Sequence, residues 1–203
     1  MIAIIDYGMG NLRSVLHKVK KIYNEVIITS KPEKVAEVDK IILPGVGAFD
    51  VGMENLYKYG LKDILDKKVI EKKTPILGIC LGMQLFSNNS EEGNAEGLGW
   101  INAETQRFSF KNKNLKIPHV GWNSVEIKRE NILFRDIPKD TFFYFSHSYH
   151  LICKEEKDIV STTFYGYDFV SSIQRGNIYG TQFHPEKSHK IGMKVIQNFL
   201  EYG

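Results

Sequence analysis

The chain has 203 residues, of which 42% are hydrophobic and 25% charged, and its formal net charge at pH 7 is +3. This size and composition are typical of a globular protein with a sizeable core, so we expect residues 1–203 to form a single domain. Because the lysines are distributed along the chain instead of forming a basic arm, we do not expect nucleic acid as a partner.

Cysteine usage and the absence of targeting patterns indicate where the protein works. The two cysteines, Cys80 and Cys153, give no disulfide framework and no metal-ligand spacing. The N-terminal apolar run reaches Asp6 too soon for a signal peptide, and no segment has the apolar length that spans a bilayer. We therefore expect a cytoplasmic, reducing environment, with no membrane and no metal. For Cys153 we expect packing in the core.

In the first half of the chain, short apolar runs alternate with segments whose apolar residues recur at helical spacing. Strands are predicted at residues 2–5, 26–28, 41–43 and 75–79, with a short polar segment before the third. Helices are predicted from Leu12 to Tyr23, from Met53 to Leu65 and from Gly82 onward. Continuous apolar strands between helices are typical of a parallel sheet covered on both faces.

The second half of the chain has a different character. Residues 88–99 are rich in Asn, Glu and Gly and predict an exposed loop. Beyond them, strands are predicted at residues 100–108, 121–127, 141–149, 159–164, 169–174 and 177–183, followed by a helix that carries Ile191 and Leu200. The predicted fold class is therefore α/β, with a parallel sheet that continues into mixed or antiparallel strands.

Four predicted strands end in residues that suit a ligand site, and the ends of parallel strands meet at one crevice. The first such end is residues 6–11, Asp-Tyr-Gly-Met-Gly-Asn, which opens a helix. A dinucleotide-binding turn would need a third glycine where Arg13 stands, and an acid where the next strand is followed by Thr29 and Ser30. A glycine-permitted turn or a partner contact is the simpler interpretation.

The second strand end is residues 44–49, Pro-Gly-Val-Gly-Ala-Phe. Gly45 and Gly47 flank Val46, so main-chain N–H groups can point into a crevice without side chains in the way. An oxyanion hole is built from main chain in this manner. The alternative is an ordinary flexible loop, because glycine loops are common.

The third strand end carries Cys80, between Gly78 and Gly82 at a predicted strand-to-helix turn. The glycine-flanked nucleophile of hydrolases is built in the same way, with serine in place of cysteine. A thiol at the N-terminus of a helix is favoured as thiolate. The alternative is a buried cysteine that serves as a small hydrophobic residue.

The fourth strand end is His184-Pro185-Glu186. Pro185 restricts the backbone, so the Glu186 carboxylate can turn back to one imidazole nitrogen and leave the other to accept a thiol proton. A metal site is the alternative, but no third ligand is suitably spaced. A nucleophile, a base, an orienting acid and main-chain donors at one sheet edge together favour covalent acyl transfer.

These segments closely resemble the class I (triad) glutamine amidotransferases. The resemblance rests on residues 78–82, 144–149 and 184–186, and on a glutamine one helical turn after the cysteine. It implies a flavodoxin-like fold and hydrolysis of glutamine without a cofactor. The site residues that it implies are Cys80, His184 and Glu186 as the catalytic triad, Leu81, Val46 and Gly47 around the oxyanion, and Gly45, Gln84, His147 and Ser148 around the substrate.

Within this family, residues 6–11, 44–49, 118–123 and 184–188 are most similar to the amidotransferase subunits that serve histidine biosynthesis. This resemblance implies a heterodimer with a separate cyclase subunit that has a (β/α)₈ barrel. The interface residues that it suggests are Tyr7, Asn11, Trp122, Asn123, Tyr144 and Lys187. The alternatives are the amidotransferase subunit of another synthase, such as anthranilate synthase, an independent cysteine hydrolase and a non-catalytic binding module.

Overall fold

The computed structural model describes residues 1–111 and 114–203. In this part of the chain the strands are β1 (Ile2–Ile5), β2 (Val26–Thr29), β3 (Lys40–Gly45), β4 (Ile76–Cys80), β5 (Asn89–Ser90), β6 (Ala95–Glu96), β7 (Ala103–Arg107), β8 (His119–Ser124), β9 (Glu126–Ile127), β10 (Phe142–His147), β11 (Tyr149–Cys153), β12 (Ile159–Phe164), β13 (Asp168–Arg175) and β14 (Ile178–Thr181).

The α-helices of the described residues are α1 (Leu12–Lys20), α2 (Pro32–Ala36), α3 (Phe49–Lys58), α4 (Leu61–Asp66), α5 (Leu81–Gln84) and α6 (His189–Tyr202). A π-helical turn at Lys67–Glu71 extends α4, and turns of 3₁₀ helix lie at Ile132–Phe134, Glu156–Asp158 and Pro185–Lys187. Among these helices, none is long and apolar enough to cross a membrane.

The described residues form a central sheet of eight strands in the order β2-β1-β3-β4-β14-β13-β12-β9. The first five strands are parallel, whereas β13 is antiparallel to both of its neighbours and β9 is antiparallel to β12. The predicted α/β fold, with a parallel sheet that becomes mixed in the second half, is confirmed. The strands predicted at residues 2–5 and 159–164 have the same bounds in the structure.

Both faces of the parallel strands are covered. In β1, Ile2 and Ile4 belong to one hydrophobic cluster, and Ala3 and Ile5 belong to another. Helices α1 and α6 pack on the first face, and α3 and α4 pack on the second. Successive side chains of a strand point to opposite faces, so burial on both sides explains why these strands are apolar throughout.

The prediction of one helix from Met53 to Leu65 is wrong. Helix α3 ends at Lys58, Gly60 has a left-handed φ of 64°, and α4 begins at Leu61. Glycine adopts this conformation without a steric penalty, so the helix ends there. The apolar spacing continues across the break because both helices pack against the same hydrophobic cluster.

Several short elements differ from the predicted ones. Helix α2 lies in the segment interpreted as polar, and β5 and β6 lie in the predicted loop of residues 88–99. The predicted strand at residues 141–149 divides into β10 and β11, and the one at residues 121–127 is divided between β8 and β9. These elements are short or interrupted, so tertiary pairing defines them more than a local pattern does.

A separate antiparallel ribbon is formed by β8 and β10. In this ribbon Trp122 lies opposite Tyr144, and His119 lies opposite His147. The two histidines are buried, whereas Trp122 is 46% exposed. The ribbon therefore presents one face to the interior and the other to solvent.

Candidate active site

The four strand ends singled out by the sequence lie at one edge of the central sheet. Strands β1, β3, β4 and β14 are consecutive neighbours and parallel, and Gly45 is paired with Cys80 across β3 and β4. A cavity of about 240 Å³ opens beside Cys80. Its lining consists of Val46, Gly47, Cys80, Leu81, Gln84, Glu92, Pro118, Ser146, His147, Ser148 and Tyr149.

Cys80 occupies a strained turn between β4 and α5. Its φ of 54° and ψ of −109° are unusual for a residue with a side chain. Close packing around the turn requires glycine, since a Cβ at Gly82 would lie 1.8 Å from the carbonyl oxygen of Leu43. Helix α5 has only four residues, so its dipole contributes little to the charge state of the thiol.

His184 is fixed at both its backbone and its ring. Its backbone N–H donates to the Tyr144 carbonyl at 2.8 Å, and its own carbonyl accepts from Ser188 Oγ at 2.7 Å. Its Nδ1 lies 2.8 Å from Glu186 Oε1, and both side chains are buried. The carboxylate accepts a hydrogen bond from Nδ1–H, so Nε2 is the ring nitrogen that remains for proton exchange.

The charge state of His184 differs from that of the neighbouring histidines. Burial opposes its protonation, but the charge of Cys80, a hydrogen bond with the Cys80 side chain and the Glu186 carboxylate together raise the pKa of His184. Burial lowers the pKa values of His119, His147 and His150, so these rings are neutral near pH 7. Such an arrangement favours the imidazolium form of His184.

Cys80 is buried within a hydrophobic cluster, and two further observations concern possible metal ligands and the second cysteine. Among the residues that the structure describes, no three His, Cys, Asp or Glu side chains are placed to hold a metal ion. Cys153 is half-buried on β11, packed against the core, and burial together with Asp158 raises its pKa to about 12. Its surroundings therefore disfavour the thiolate.

Of the predicted substrate residues, Gln84, His147 and Ser148 line the cavity, whereas Gly45 is not part of its lining. Gln84 uses its Nε2 to donate to the Tyr149 carbonyl at 2.8 Å and to Gln182 Oε1 at 3.0 Å. His147 has its Nδ1 2.7 Å from the same Tyr149 carbonyl and its Nε2 3.2 Å from His119 Nδ1. Gln84 Oε1 and the backbone around Ser148, rather than the His147 ring, are therefore available to a ligand.

Two residues of the site were missed by the sequence analysis. Glu92 lines the cavity from the segment predicted to be an exposed loop, and its carboxylate accepts from the Phe49 N–H at 2.9 Å. Burial raises the pKa of Glu92. Gln182 is fully buried, and its Nε2 lies 3.6 Å from Cys80 Sγ. The presence of a glutamine in the apolar strand before His184 could have indicated Gln182, whereas no feature of the sequence indicated Glu92.

Three of the predicted interface residues lie together on the surface. The Tyr144 ring is 6.0 Å from the ring of Trp122 and 5.5 Å from Lys187 Nζ. Asn11 is exposed and caps α1 by accepting from the Ser14 N–H at 3.2 Å.

The remaining two interface residues are less accessible. Asn123 is half-buried and donates to the Phe164 carbonyl at 3.0 Å. Tyr7 is a correction, because its side chain is fully buried and a Cβ at Gly45 would lie 2.3 Å from its hydroxyl oxygen. It supports the glycine loop from below and does not reach the surface.

The mixed α/β fold, with Cys80, His184 and Glu186 grouped at one edge of its sheet, agrees with the amidotransferase class that the sequence resembles. The family model described as glutamine amidotransferase class-I matches residues 3–202, and the chain belongs to this family.

Two relatives have names that specify a subunit. The chain is 54% identical to the imidazole glycerol phosphate synthase subunit HisH 2 of Methanococcus maripaludis, over 99% of each chain. It is 44% identical to the imidazole glycerol phosphate synthase subunit HisH of Leptospira borgpetersenii, over 98% of each chain.

Solved structures at lower identity support the fold. A crystal structure of a glutamine amidotransferase has a TM-score of 0.74 and 18% identity, with 99% of this chain and 98% of that chain covered. The glutaminase domain of Trypanosoma brucei CTPS has a TM-score of 0.67 and 16% identity, with 100% of this chain and 94% of that chain covered.

Proposed function

We propose that this chain is the glutaminase subunit of imidazole glycerol phosphate synthase and acts as one domain in the cytoplasm. It hydrolyses glutamine to glutamate and ammonia, and it passes the ammonia to a cyclase subunit of the HisF type in histidine biosynthesis. The observation that carries this proposal is the buried His184–Glu186 pair beside Cys80. The full-length similarity to relatives named as HisH subunits supports the choice of synthase.

In the first half of the reaction, the Cys80 thiolate attacks the side-chain amide carbon of glutamine. Main-chain N–H groups of Leu81 and of the Val46–Gly47 segment stabilise the negative charge on the amide oxygen. His184 then donates its proton to the leaving nitrogen, and Glu186 keeps the ring in the required orientation. Ammonia departs and a glutamyl thioester on Cys80 remains.

In the second half, His184 accepts a proton from water, which attacks the thioester and releases glutamate. Gly45, Gln84 and the backbone around His147 and Ser148 hold the rest of the substrate. Glu92 extends this set, because a carboxylate at the wall of the cavity suits the α-ammonium group of glutamine.

The proposed surface for the cyclase, a (β/α)₈ barrel, is the solvent face of the β8–β10 ribbon and its surroundings. Trp122, Tyr144 and Lys187 form its centre, and Asn11 and Asn123 are the further contact residues that we propose. Exposed aromatic residues beside a basic side chain are typical of a protein–protein contact. Ammonia is protonated and lost in water, so a contact near the site would protect it.

The experiment that tests the proposed function measures glutamate release by the chain alone and with a cyclase subunit that carries its nucleotide substrate. We expect strong stimulation by the loaded cyclase. Cys80→Ala is expected to abolish glutamine hydrolysis and to leave the ammonia-supported cyclase activity of the complex intact. Fast turnover that the cyclase does not change would favour an independent hydrolase. Retained turnover in Cys80→Ala would contradict the assignment of the nucleophile.

The proposed surface is tested separately by Trp122→Ala. Loss of an aromatic residue at the centre of a contact costs about 2 kcal/mol of binding free energy, which corresponds to roughly a 30-fold weaker complex. Tyr57→Ala is the matched control, because Tyr57 is an exposed aromatic residue on α3. Equal affinities of the two variants for the cyclase, measured by calorimetry, would place the contact elsewhere.

A further inference from the structure

Two buried side-chain amides connect the wall of the cavity to the sulfur of Cys80. Gln84 Nε2 donates to the Tyr149 carbonyl at 2.8 Å and to Gln182 Oε1 at 3.0 Å. Gln182 Nε2 lies 3.6 Å from Cys80 Sγ. Gln84 is 4% exposed and Gln182 is fully buried, so solvent does not compete for these contacts.

The orientation of both amides follows from one backbone carbonyl. The Tyr149 oxygen can only accept, so the atom of Gln84 that faces it must be the nitrogen. The second hydrogen of that nitrogen then requires an acceptor, so Gln182 must present its oxygen to Gln84. Gln182 is left with its own N–H group directed at the sulfur.

The Tyr149 carbonyl is itself held in place from the other side. His147 Nδ1 lies 2.7 Å from this oxygen, and because a carbonyl only accepts, Nδ1 carries the hydrogen. His147 Nε2 is then an acceptor for His119 Nδ1–H at 3.2 Å. Donors that converge on one carbonyl make a flip of either glutamine amide unfavourable.

We propose that Gln182 is a further catalytic residue, which donates a hydrogen bond to the sulfur of Cys80 and stabilises its thiolate. Gln84 is a positioning residue for Gln182, in addition to its place at the substrate. This inference rests on the proposed role of Cys80 as the nucleophile. It also accounts for a buried N–H group that faces sulfur, because a thiolate is a far stronger acceptor than a neutral thiol.

The need for such a donor follows from the local structure. Helix α5 has only four residues, so the positive end of a helix supplies little stabilisation to the anion. His184 provides one positive partner. Gln182, which lies two residues before His184 and directly after β14, places its N–H group beside the sulfur. The thiolate is therefore stabilised both by the positive charge of His184 and by the fixed N–H dipole of Gln182.

The test is the pH dependence of alkylation of Cys80 by iodoacetamide, followed by mass spectrometry of the peptide that contains this residue. We expect Gln182→Met, which removes the donor at similar volume, to move the midpoint upward by about one pH unit. Gln174→Met is the matched control, since Gln174 lies on β13 at the opposite end of the β13–β14 pair and donates to the Gly176 carbonyl. An unchanged midpoint in Gln182→Met would overturn the proposal.

A second measurement uses the unmodified protein and does not depend on the folding of a variant. The chemical shifts of the Gln182 side-chain amide should change with pH at the midpoint found for alkylation of Cys80. Chemical shifts that do not change at this midpoint would contradict the hydrogen bond. Gln84→Met should move the alkylation midpoint upward by less than Gln182→Met does. Alkylation requires no glutamine turnover, so a failed glutaminase assay with a shifted midpoint would refute the proposed function and still support the hydrogen bond from Gln182 to the Cys80 thiolate.

Discussion

Glu186→Gln is the perturbation whose effect can be worked out most directly from the geometry of the site. Glu186 Oε1 accepts from His184 Nδ1–H at 2.8 Å. Its other oxygen, Oε2, is buried and has no hydrogen-bond partner among the residues that the structure describes. A glutamine amide can therefore occupy this place in two orientations, and they have opposite consequences.

In the first orientation, the amide oxygen accepts from Nδ1–H, and the NH₂ group occupies the position of Oε2. A buried donor without an acceptor costs about 1–3 kcal/mol. In the second orientation the NH₂ group donates to Nδ1, and the hydrogen of the ring moves to Nε2. His184 can then no longer accept a proton at the nitrogen that serves Cys80.

A free-energy difference of about 1–3 kcal/mol leaves only about one molecule in six to one in 160 in the productive orientation. Replacing a carboxylate by a neutral acceptor removes roughly another 1.4 kcal/mol of support for the imidazolium ion, which is about tenfold in rate. We therefore expect kcat/KM to fall about 10²- to 10³-fold. Removal of a general acid–base, as in His184→Asn, typically causes a loss of roughly 10²- to 10⁴-fold.

The assay is glutamate release by the complex with the loaded cyclase, measured from pH 6 to pH 10. Glu186 helps to raise the pKa of His184, so in Glu186→Gln the alkaline limb of kcat/KM should move to lower pH. Above the pKa of the His184 ring, where it is neutral, its ¹⁵N shifts should report hydrogen on Nε2 in the variant and on Nδ1 in the parent. Activity within threefold of the parent would refute the reasoning.

Two further substitutions test other parts of the site. Glu92→Gln keeps an acceptor for the Phe49 N–H but removes the charge, so KM for glutamine should rise about tenfold with kcat changed less than threefold, in steady-state kinetics. An unchanged KM would remove Glu92 from the substrate site. Gly47→Ala places a side chain at a φ of 132° and a Cβ 2.5 Å from Met9 Cε, so cyclase-stimulated turnover should fall severalfold. Gly176→Ala, at a φ of 56° with no atom within 4 Å of its Cβ among the described residues, should keep its stimulation, and equal losses would point to a general effect on folding.

The sequence predicts well which residues lie at the cavity edge of the sheet, because buried parallel strands have a recognisable local pattern. Short apolar runs identify β1, β3, β4 and β14, and the residues that follow parallel neighbouring strands lie at one edge. Cys80 and His184 are far apart in the chain, yet each is recognisable at the end of its own strand. Their proximity follows from topology and requires no knowledge of side-chain packing.

The parts of the site that the sequence does not predict depend on packing between segments. Tyr7 follows β1 like a surface residue, but a Cβ at Gly45 would touch its hydroxyl, which reveals how closely the two segments pack. Glu92 faces the cavity because β5 and β6 pair in a segment whose composition is typical of an exposed loop. No periodic pattern encodes such contacts, since each is set by residues distant in the chain.

The position of Tyr144 connects the proposed partner surface to the proposed base. Its side chain lies on the outer face of the β8–β10 ribbon, beside Trp122 and Lys187. Its backbone carbonyl accepts from the His184 N–H at 2.8 Å, and its own N–H donates to Ser188 Oγ, which in turn donates to the His184 carbonyl. A partner bound to Tyr144 therefore acts one hydrogen bond away from His184. Stimulation of glutamine hydrolysis by a docked cyclase would thus need no distant relay, because a backbone hydrogen bond joins Tyr144 of the surface to His184.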